Sequence, residues 1–474
     1  MARVLAASLH IAGVHVIAPA HLGTTAIAAL RARGIDAKLA DHAGPSGDGS
    51  DLVAWALEAA PTATSAVELA ATCARGAAAG RPVCLLAPAP RGSGRAAIER
   101  AAALAYLRAH GAAIAHDVDA WLEAVVALVR FGMPHGPRTA VIAPPGSWLE
   151  AQTLGLVAEA EATGGRAPQL GTERKAREDA TDVVLFDPAL GPAPAQLPGL
   201  HVPVVARAEL ADGEVALYGM RAALAAIDML GRAAERIAVG LGTAPPDDRD
   251  KPDTDRLERQ IAKLASGTRI GDHETKVMLA AYGVPITRQA VAVTPSATVR
   301  KARSVGYPVE LKPWGHDLPS EPDGCPVERG VTSDALVRRA FTAVLAAAGR
   351  APNGADAAVI VRETPPVGRD LAVSFVRLPA LGWTVVLELP GAPHVAAAPA
   401  PLRLLDAQTL AAAVVASRAG DAEPDRAGLA TLLRRASHLV SDLDTRIVRL
   451  ELPRVVVGGR GARTLVVDAW AELA

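Results

Sequence analysis

The 474-residue sequence is poor in aromatic residues, in cysteine and in net charge. Aromatic side chains make up 3% of the chain although hydrophobic residues make up 50%, so Ala, Val and Leu must build the core. This apolar fraction excludes a disordered chain. The 49 Lys and Arg residues balance 50 Asp and Glu residues, which argues against nucleic acid or an anionic membrane as the main partner. Three widely separated cysteines favour a reducing cytoplasm over a disulfide framework.

Long hydrophobic runs are also missing, because no stretch reaches the roughly 18 apolar residues that a membrane-spanning helix needs. The first thirty residues imitate a secretory signal peptide, with Arg3 before an apolar stretch and small residues at 18–20. However, His10 and His15 interrupt this stretch, and residues 14–33 have the pattern of a strand followed by an amphipathic helix. We therefore expect a cytoplasmic protein without a membrane span, and a signal peptide remains the alternative.

Short Val- and Leu-rich runs alternate with Ala-rich helical stretches in the first half of the chain. Such continuous apolar strands are typical of a parallel sheet covered by helices on both faces. The pattern predicts an α/β fold with two flavodoxin-like, doubly wound parallel-sheet domains at 1–133 and 134–243, because VIAPPG echoes the earlier VIAPA. A polar, Pro-rich linker follows at 244–257. Several consecutive strands and one long helical stretch then predict an α+β domain at 258–474.

The run from Gly271 to Ser333 resembles the start of the ATP-grasp domain of ADP-forming acyl-CoA synthetases. The family motifs E-x-K, Y-G-I-P, G-Y-P-V and L-K are matched without a gap by Glu274, Lys276, Tyr282 to Pro285, Gly306 to Val309, Leu311 and Lys312. The resemblance implies that 258–474 is an ATP-grasp domain, and that the two preceding domains are those the family shares with succinyl-CoA ligases. The sequence begins where the family's CoA-binding domain would have ended. We expect that domain to be absent, so CoA would be used only with a partner domain.

The resemblance implies a phosphoryl relay through a histidine, and this residue is replaced. Arg100 stands at its position, and a guanidinium stays protonated and has no lone pair to attack phosphorus. Arg100 could hold an anion, or it could be a solvated helix arginine. His110 and His116 are candidates for a displaced nucleophile, but both are most simply structural. No catalytic residue and no phosphohistidine relay are therefore predicted.

Three residues are predicted to bind nucleotide by the same resemblance. Lys312 matches the lysine that contacts the ATP phosphates, and Arg362 and Glu363 match the adenine hinge in position but not in side chain. In the family's H-K-x-D-x-G-G-V motif the lysine has become Glu321 and one glycine has become Pro326. Because proline removes a backbone donor, the turn has lost part of what would cradle a phosphate.

Metal and anion sites are predicted at the ends of other elements. Pro453 stands where the family has an asparagine beside magnesium, which leaves Glu451 and Asp468 as the predicted Mg²⁺ ligands. Exposed strand-end acids are the alternative interpretation of both. Gly146 and Ser147 precede a helix of the second domain and are predicted to bind phosphate or another anion, with ordinary helix capping as the alternative.

Two functional hypotheses follow. The first is an ADP-forming acyl-CoA synthetase-like ligase that uses ATP/ADP and Mg²⁺ on a carboxylic acid or acyl-CoA, with a separate CoA-binding subunit or as a homo-oligomer. The second is a non-catalytic relative, a pseudoenzyme that acts as a nucleotide- or acyl-CoA-binding regulatory or scaffold subunit. Glu388 adds a further carboxylate to a stretch that is glycine-rich in the family, so the substitutions favour a chain without the phosphohistidine relay.

Overall fold

The computed structural model describes residues 11–40, 51–92, 94–163, 167–171, 181–194, 197–206, 215–244, 252–253, 255, 257–258, 269–354, 356–388, 395–414, 423–459 and 461–474. The chain divides into two compact units. They are residues 1–91 with 99–242, and residues 92–98 with 243–474. No helix among the described residues is long and apolar enough to cross a membrane.

Two parallel five-stranded sheets form the framework of the first unit. The strands of the first sheet are β1 (Val14–Ile17), β2 (Ala37–Leu39), β3 (Leu52–Ala56), β4 (Cys84–Leu86) and β5 (Ala113–Ala115). The strands of the second sheet are β6 (Thr139–Ile142), β7 (Gln169–Leu170), β8 (Val183–Phe186), β9 (Leu200–Val205) and β10 (Leu217–Tyr218). The spatial orders are β2-β1-β3-β4-β5 and β7-β6-β8-β9-β10. Both follow the flavodoxin-like order 2-1-3-4-5.

The helices in this half of the chain are α1 (Ala20–Ala32), α2 (Ala63–Ala78), α3 (Arg95–Ala109), α4 (Val118–Arg130), α5 (Trp148–Thr163) and α6 (Met220–Val239). Strands β4, β5 and β8 are buried at every residue, as expected for strands covered on both faces. Ala, Val and Leu dominate the core, as the composition predicts. Trp121 is a fully buried exception, and its indole N–H donates to the Cys84 carbonyl at 2.9 Å.

Two antiparallel sheets form the second unit. The four-stranded sheet has the order β12-β15-β13-β14 and consists of β12 (Gln289–Ala292), β13 (Val309–Pro313), β14 (Glu328–Val331) and β15 (Val359–Glu363). The six-stranded sheet has the order β11-β20-β19-β16-β17-β18 and consists of β11 (Arg269–Ile270), β16 (Gly368–Leu378), β17 (Gly382–Glu388), β18 (Ala396–Pro399), β19 (Ile447–Gly458) and β20 (Leu465–Leu473). The helices are α7 (Asp272–Ala281), α8 (Pro295–Val305), α9 (Asp334–Ala347), α10 (Leu404–Ala411) and α11 (Arg426–Asp442).

The predicted fold class is confirmed, since two parallel-sheet modules precede an α+β domain. The strands of the first module end at Ala115 and those of the second begin at Thr139, while the domain boundaries at 133 and 243 stay predictions. The predicted linker at 244–257 lies mostly outside the described residues.

Two helical glycines of the first unit provide a matched test of packing. A Cβ on Gly155 in α5 would meet nothing within 4 Å, whereas a Cβ on Gly231 in α6 would lie 2.4 Å from the Cα of Pro137. We expect Gly155→Ala to raise the free energy of unfolding by about 0.5–1 kcal/mol, because alanine loses less backbone entropy. We expect Gly231→Ala to lower it by about 1–3 kcal/mol through overpacking against a backbone that cannot yield cheaply. Urea unfolding of the full chain measures both, and equal effects would contradict this packing.

Candidate functional site

A cluster of charged side chains lies buried between the two sheets of the second unit. Glu310 lies directly opposite Arg362 in the β13–β15 pairing, and Lys312 is two residues further along β13, so all three share one face of the four-stranded sheet. On the six-stranded sheet, Asp468 of β20 lies opposite Arg454 of β19. The register of each sheet therefore places complementary charges on the faces that meet in the interior.

Helix α7 adds a buried ion pair to this cluster. Asp272 and Lys276 are one turn apart and therefore share a helix face, with 3.0 Å between Lys276 Nζ and Asp272 Oδ1. Lys276 is fully buried and also donates to Thr287 Oγ1 at 3.0 Å and to Gln289 Oε1 at 3.1 Å. Burial lowers the pKa of Lys276 to about 8, although the Asp272 carboxylate acts in the opposite direction.

Lys312, the predicted phosphate-binding lysine, is surrounded by carboxylates. Its Nζ lies 2.7 Å from Asp468 Oδ1, 3.4 Å from Asp272 Oδ2 and 3.6 Å from Glu321 Oε1. Burial lowers the pKa of the Lys312 ammonium, but Asp272 and Asp468 outweigh this effect and hold the pKa above its ordinary value. The ammonium is therefore charged and already engaged by groups of its own chain.

Arg362 is also fully buried and does not line an open hinge. Its Nε and Nη2 donate to Glu310 Oε2 at 3.0 and 2.6 Å, while Nη1 donates to Glu321 Oε1 and, at 2.9 Å, to the Val467 carbonyl. Burial lowers the pKa of this guanidinium, but Glu321 and Glu310 outweigh it and raise the pKa above its usual range. The neighbouring Glu363 accepts from the N–H and the Nε of Arg288 at 2.9 and 2.7 Å.

Glu321 connects the interior cluster to the surface. Its Oε1 contacts Lys312 and Arg362, and its Oε2 lies 3.3 Å from both Arg329 Nη2 and Arg454 Nη1. The backbone N–H of Glu321 also donates to Asp468 Oδ2 at 2.7 Å. Burial raises the pKa of the Glu321 carboxyl, but Arg362 and Lys312 outweigh it and lower the pKa to about 2. This side chain is thus a permanent carboxylate at any physiological pH.

A small cavity lies beside these groups. It has a volume of about 20 Å³ and is lined by residues that include Lys312, Ser320, Cys325 and Asp468. This volume holds about one water molecule, whereas small-molecule sites typically occupy several hundred Å³. In this conformation the chain's own carboxylates occupy the surroundings of Lys312.

The predicted Mg²⁺ ligands are engaged in the same way. Asp468 uses one oxygen for Lys312 and the other for the Glu321 N–H. Glu451 accepts from Arg449 Nε at 2.6 Å. Among the described residues, no three His, Cys, Asp or Glu side chains are grouped as a metal site. The donors do not fit a Mg²⁺ ion here, because cations of the chain already neutralise both carboxylates.

The predicted anion site in the first unit is closed by the helix that follows it. Gly146 has a φ of +77°, and its N–H donates to Glu150 Oε2 at 2.5 Å. Ser147 Oγ accepts the Glu150 N–H at 3.2 Å. These bonds resemble a capping box, but the Glu150 carboxylate accepts from Gly146, which precedes the N-cap residue Ser147. The N–H groups of Gly146 and Glu150 are therefore used locally.

The residues considered in place of a phosphoryl-accepting histidine are either exposed or hydrogen-bonded to neighbouring groups. Arg100 is exposed on α3. His110 Nδ1 donates to the Tyr106 carbonyl at 2.8 Å. His116 Nδ1 donates to the Ala87 carbonyl at 2.8 Å, which leaves Nε2 to accept from Arg108 Nη2 at 3.1 Å. Burial lowers the pKa of His116. The lone pair that a nucleophile needs is therefore already engaged in His116.

Sequence reasoning missed four members of the ion-pair cluster: the buried Asp272 and Glu310, Arg454, and Arg329, which reaches the cluster from the surface. One signal was available, because charged residues interrupt the otherwise apolar strands VELKP and VIVRE, and both strands are buried at every position. Buried charges require partners, so their presence in such strands indicates an ion-pair cluster. The identity of the partners could not be read from this signal.

Comparisons with known proteins were made for the whole chain. Residues 262–473 match the ATP-grasp domain family. The chain is 25% identical over 285 residues to the 4-hydroxybutyrate–CoA ligase (ADP-forming) of Nitrosopumilus maritimus, which covers 57% of this chain and 40% of that protein. It is 25% identical over 218 residues to the acetate–CoA ligase (ADP-forming) II subunit beta of Pyrococcus furiosus, covering 44% of this chain and 92% of that subunit.

Among solved structures, the chain is similar to acetyl-coenzyme A synthetase 1 of Ca. Korarchaeum cryptofilum in complex with coenzyme A and Ca-AMPCP. The identity is 24% and the TM-score 0.41, and the match covers 47% of this chain and 100% of that chain. The chain therefore spans the whole of this structure, but it spans less than half the length of the Nitrosopumilus protein.

Proposed function

We propose that this chain, whose residues 262–473 form an ATP-grasp domain homologous to those of ADP-forming acyl-CoA ligases, is an acyl-CoA ligase-like protein that works without a phosphohistidine relay. The observation that carries the proposal is the buried ion-pair cluster. Lys312 and Arg362, which match nucleotide-binding positions of the family, both bind carboxylates of this chain.

The relay requires a nucleophile that this chain does not offer at the matching position. A phosphohistidine forms when a ring nitrogen attacks phosphorus with its free lone pair, and Arg100 has none. Of the two alternatives, His116 has one ring nitrogen bonded to a carbonyl and the other to Arg108, and His110 Nδ1 is bonded to the Tyr106 carbonyl. Transfer through either residue would first require those contacts to break.

The surroundings of Lys312 also oppose the binding of a phosphate group. Catalysis of phosphoryl transfer depends on positioning and on cations that face the transferred group. In this chain Lys312 faces three carboxylates, and Pro326 replaces a glycine whose N–H could have contacted phosphate. An added phosphate would have to displace at least one of these carboxylates.

The substrate class and the partners belong to the same proposal. They are a carboxylic acid or acyl-CoA, a nucleotide if one is used, and CoA together with a separate CoA-binding subunit or a second copy of the chain. The matching Pyrococcus protein is named as a beta subunit, which supports a partner chain. A cytoplasmic location is supported by three cysteines that are all free and buried.

Labelled ATP with Mg²⁺, added to the full-length protein with and without CoA and acetate, tests the proposal. We expect no acid-labile, base-stable phosphoprotein, which is the signature of phosphohistidine. The matched variant is Arg100→His, which restores the missing residue type at an exposed position. We expect it to stay unlabelled too, because the ion-pair cluster still excludes the nucleotide. Labelling of the unmodified chain would overturn the proposal, and labelling of the variant alone would show that the nucleotide site is functional.

A non-catalytic regulatory or scaffold subunit is the second candidate, and the small cavity beside Lys312 favours it. A ligand that binds only the folded state must raise the melting temperature by mass action. If the subunit is a scaffold, ATP or ADP produces no thermal shift in the full-length protein, while a CoA-binding chain co-purifies with it. A saturable shift with ATP would instead indicate a nucleotide-binding regulatory subunit, and formation of a phosphoprotein from labelled ATP would contradict this candidate in both forms.

A further inference from the structure

The segment 318–327 forms one wall of the interior cavity and carries Glu321 into the cluster. Leu318, Pro319, Ser320 and Cys325 line the cavity, while the glutamate side chain is 3% exposed. We propose that this segment is an autoinhibitory strap whose Glu321 carboxylate fills, as an internal anion, a four-cation site that accepts an external phosphate group once the carboxylate is removed. The inference rests on the proposed function in taking the interior of the ATP-grasp domain as the ligand site.

Four cationic side chains, from four strands and from both sheets, converge on the one carboxylate: Lys312, Arg329, Arg362 and Arg454. An ordinary ion pair needs one cation, whereas phosphate is typically held by several guanidinium and ammonium donors at once. The number and convergence of these groups match a phosphate better than a single carboxylate. Glu321 therefore occupies the centre of an anion site.

Polar contacts hold the strap in place. The N–H of Glu321 donates to Asp468 Oδ2 at 2.7 Å, and the N–H of Cys325 donates to the Ser320 carbonyl at 3.0 Å. Residues 322–324 are exposed. Removal of the Glu321 charge takes away the ion pairs that this side chain makes with the four cations, while the N–H bond to Asp468 remains.

The remaining charges show why an anion would enter. Asp272, Glu310 and Asp468 stay in place when Glu321 is removed, and Asp370 still pairs with Arg454. Glu310 contacts Arg362 closely but lies 3.8 Å from Arg329. Each of the four cations thus keeps a carboxylate of its own and loses the one carboxylate that all four share. A phosphate group supplies the charge and the acceptor oxygens that these donors lack.

Thermal-shift and calorimetric titrations of the full-length protein test this inference. The variants are Glu321→Ala, which removes both charge and volume, and Glu321→Gln, which removes the charge alone. Glu328→Ala is the matched control, because Glu328 is an exposed glutamate just beyond the same segment. Inorganic phosphate and ATP are titrated separately at constant ionic strength, so that a free phosphate and a nucleotide are told apart.

We expect Glu321→Ala to bind inorganic phosphate at least tenfold more tightly than the unmodified protein and the Glu328→Ala control do. Adding Arg454→Met to the Glu321→Ala variant should abolish this gain, because the site then loses one of its cations. Equal phosphate binding by the unmodified protein and both Glu321 variants would overturn the inference. If Glu321→Ala does not fold, the Glu321→Gln variant is used alone. In that case, phosphate binding by Glu321→Gln that is no tighter than that of the unmodified protein would overturn the inference.

The two proposals fail in different ways. A phosphoprotein formed from labelled ATP would overturn the absence of a relay, whatever the Glu321 variants bind. If the Glu321 variants bind phosphate no more tightly than the unmodified protein, only the proposal of an autoinhibitory strap is overturned, because the relay experiment does not depend on that proposal.

Discussion

Replacement of Arg362 by methionine is expected to lower the free energy of unfolding by about 3–5 kcal/mol. The guanidinium is fully buried and neutralises Glu310 and Glu321, whose side chains are 4% and 3% exposed. Methionine has a similar length, so the change removes the charge and the donors with little change in volume. Two buried carboxylates are then left with fewer cations, and an uncompensated buried charge is far more costly than an absent ion pair.

The matched control for this change is Arg288→Met. Arg288 also pairs with a buried carboxylate, that of Glu363, but its own side chain is 65% exposed. We expect a loss of at most about 1 kcal/mol, since exposed ion pairs contribute little and Arg463 also contacts Glu363. Urea unfolding followed by tryptophan fluorescence measures both variants. Similar losses of unfolding free energy for Arg362→Met and Arg288→Met would contradict the burial of the interior cluster away from water.

Replacement of Lys312 by methionine is expected to lower the free energy of unfolding by a similar amount, about 3–5 kcal/mol. Its ammonium is the closest cation to Asp468 and contributes to neutralising Asp272 and Glu321. A lysine reserved for a nucleotide would behave differently, because its removal would abolish binding and leave the unfolding of the unliganded protein nearly unchanged. The size of the loss therefore separates a structural ion-pair cluster from an open nucleotide site.

A double-mutant cycle identifies the source of that loss. Asp468→Asn removes the charge nearest to Lys312, so we expect the double variant to be at least 1 kcal/mol more stable than the sum of the single changes predicts. Lys301→Met is the matched control on the exposed face of α8, with an expected change within about 0.5 kcal/mol. Additive effects of Lys312→Met and Asp468→Asn would contradict a direct interaction between the two side chains.

Much of the fold could be predicted from local patterns. Fully apolar strands alternating with Ala-rich helices indicated two parallel-sheet modules, and both sheets have the flavodoxin-like order. Motif spacing from Glu274 to Lys312 indicated the ATP-grasp domain that the family comparison confirms. The replacement of the family's histidine by Arg100 stays a prediction, because it rests on the alignment of this sequence with the family motif alone.

The candidate site was predicted only in part, and Arg362 and Glu321 show why. At the sequence level Arg362 is one member of a hinge and Glu321 is a substitution in a phosphate turn, with no reason to connect them. In the structure they share a hydrogen bond across a separation of 41 residues. Glu321, the substitution in the predicted phosphate turn, thus provides the ion-pair partner for Arg362 of the predicted hinge.

The sequence by itself determined the order of the domains and the presence of charges in apolar strands. These properties depend on residue identity and on contacts a few positions apart, such as the pair of Asp272 and Lys276 on one helical turn. Only the tertiary structure decided which charges meet. Lys312 and Asp468 are 156 residues apart, and they are brought together because β13 of one sheet and β20 of the other approach each other inside the second unit.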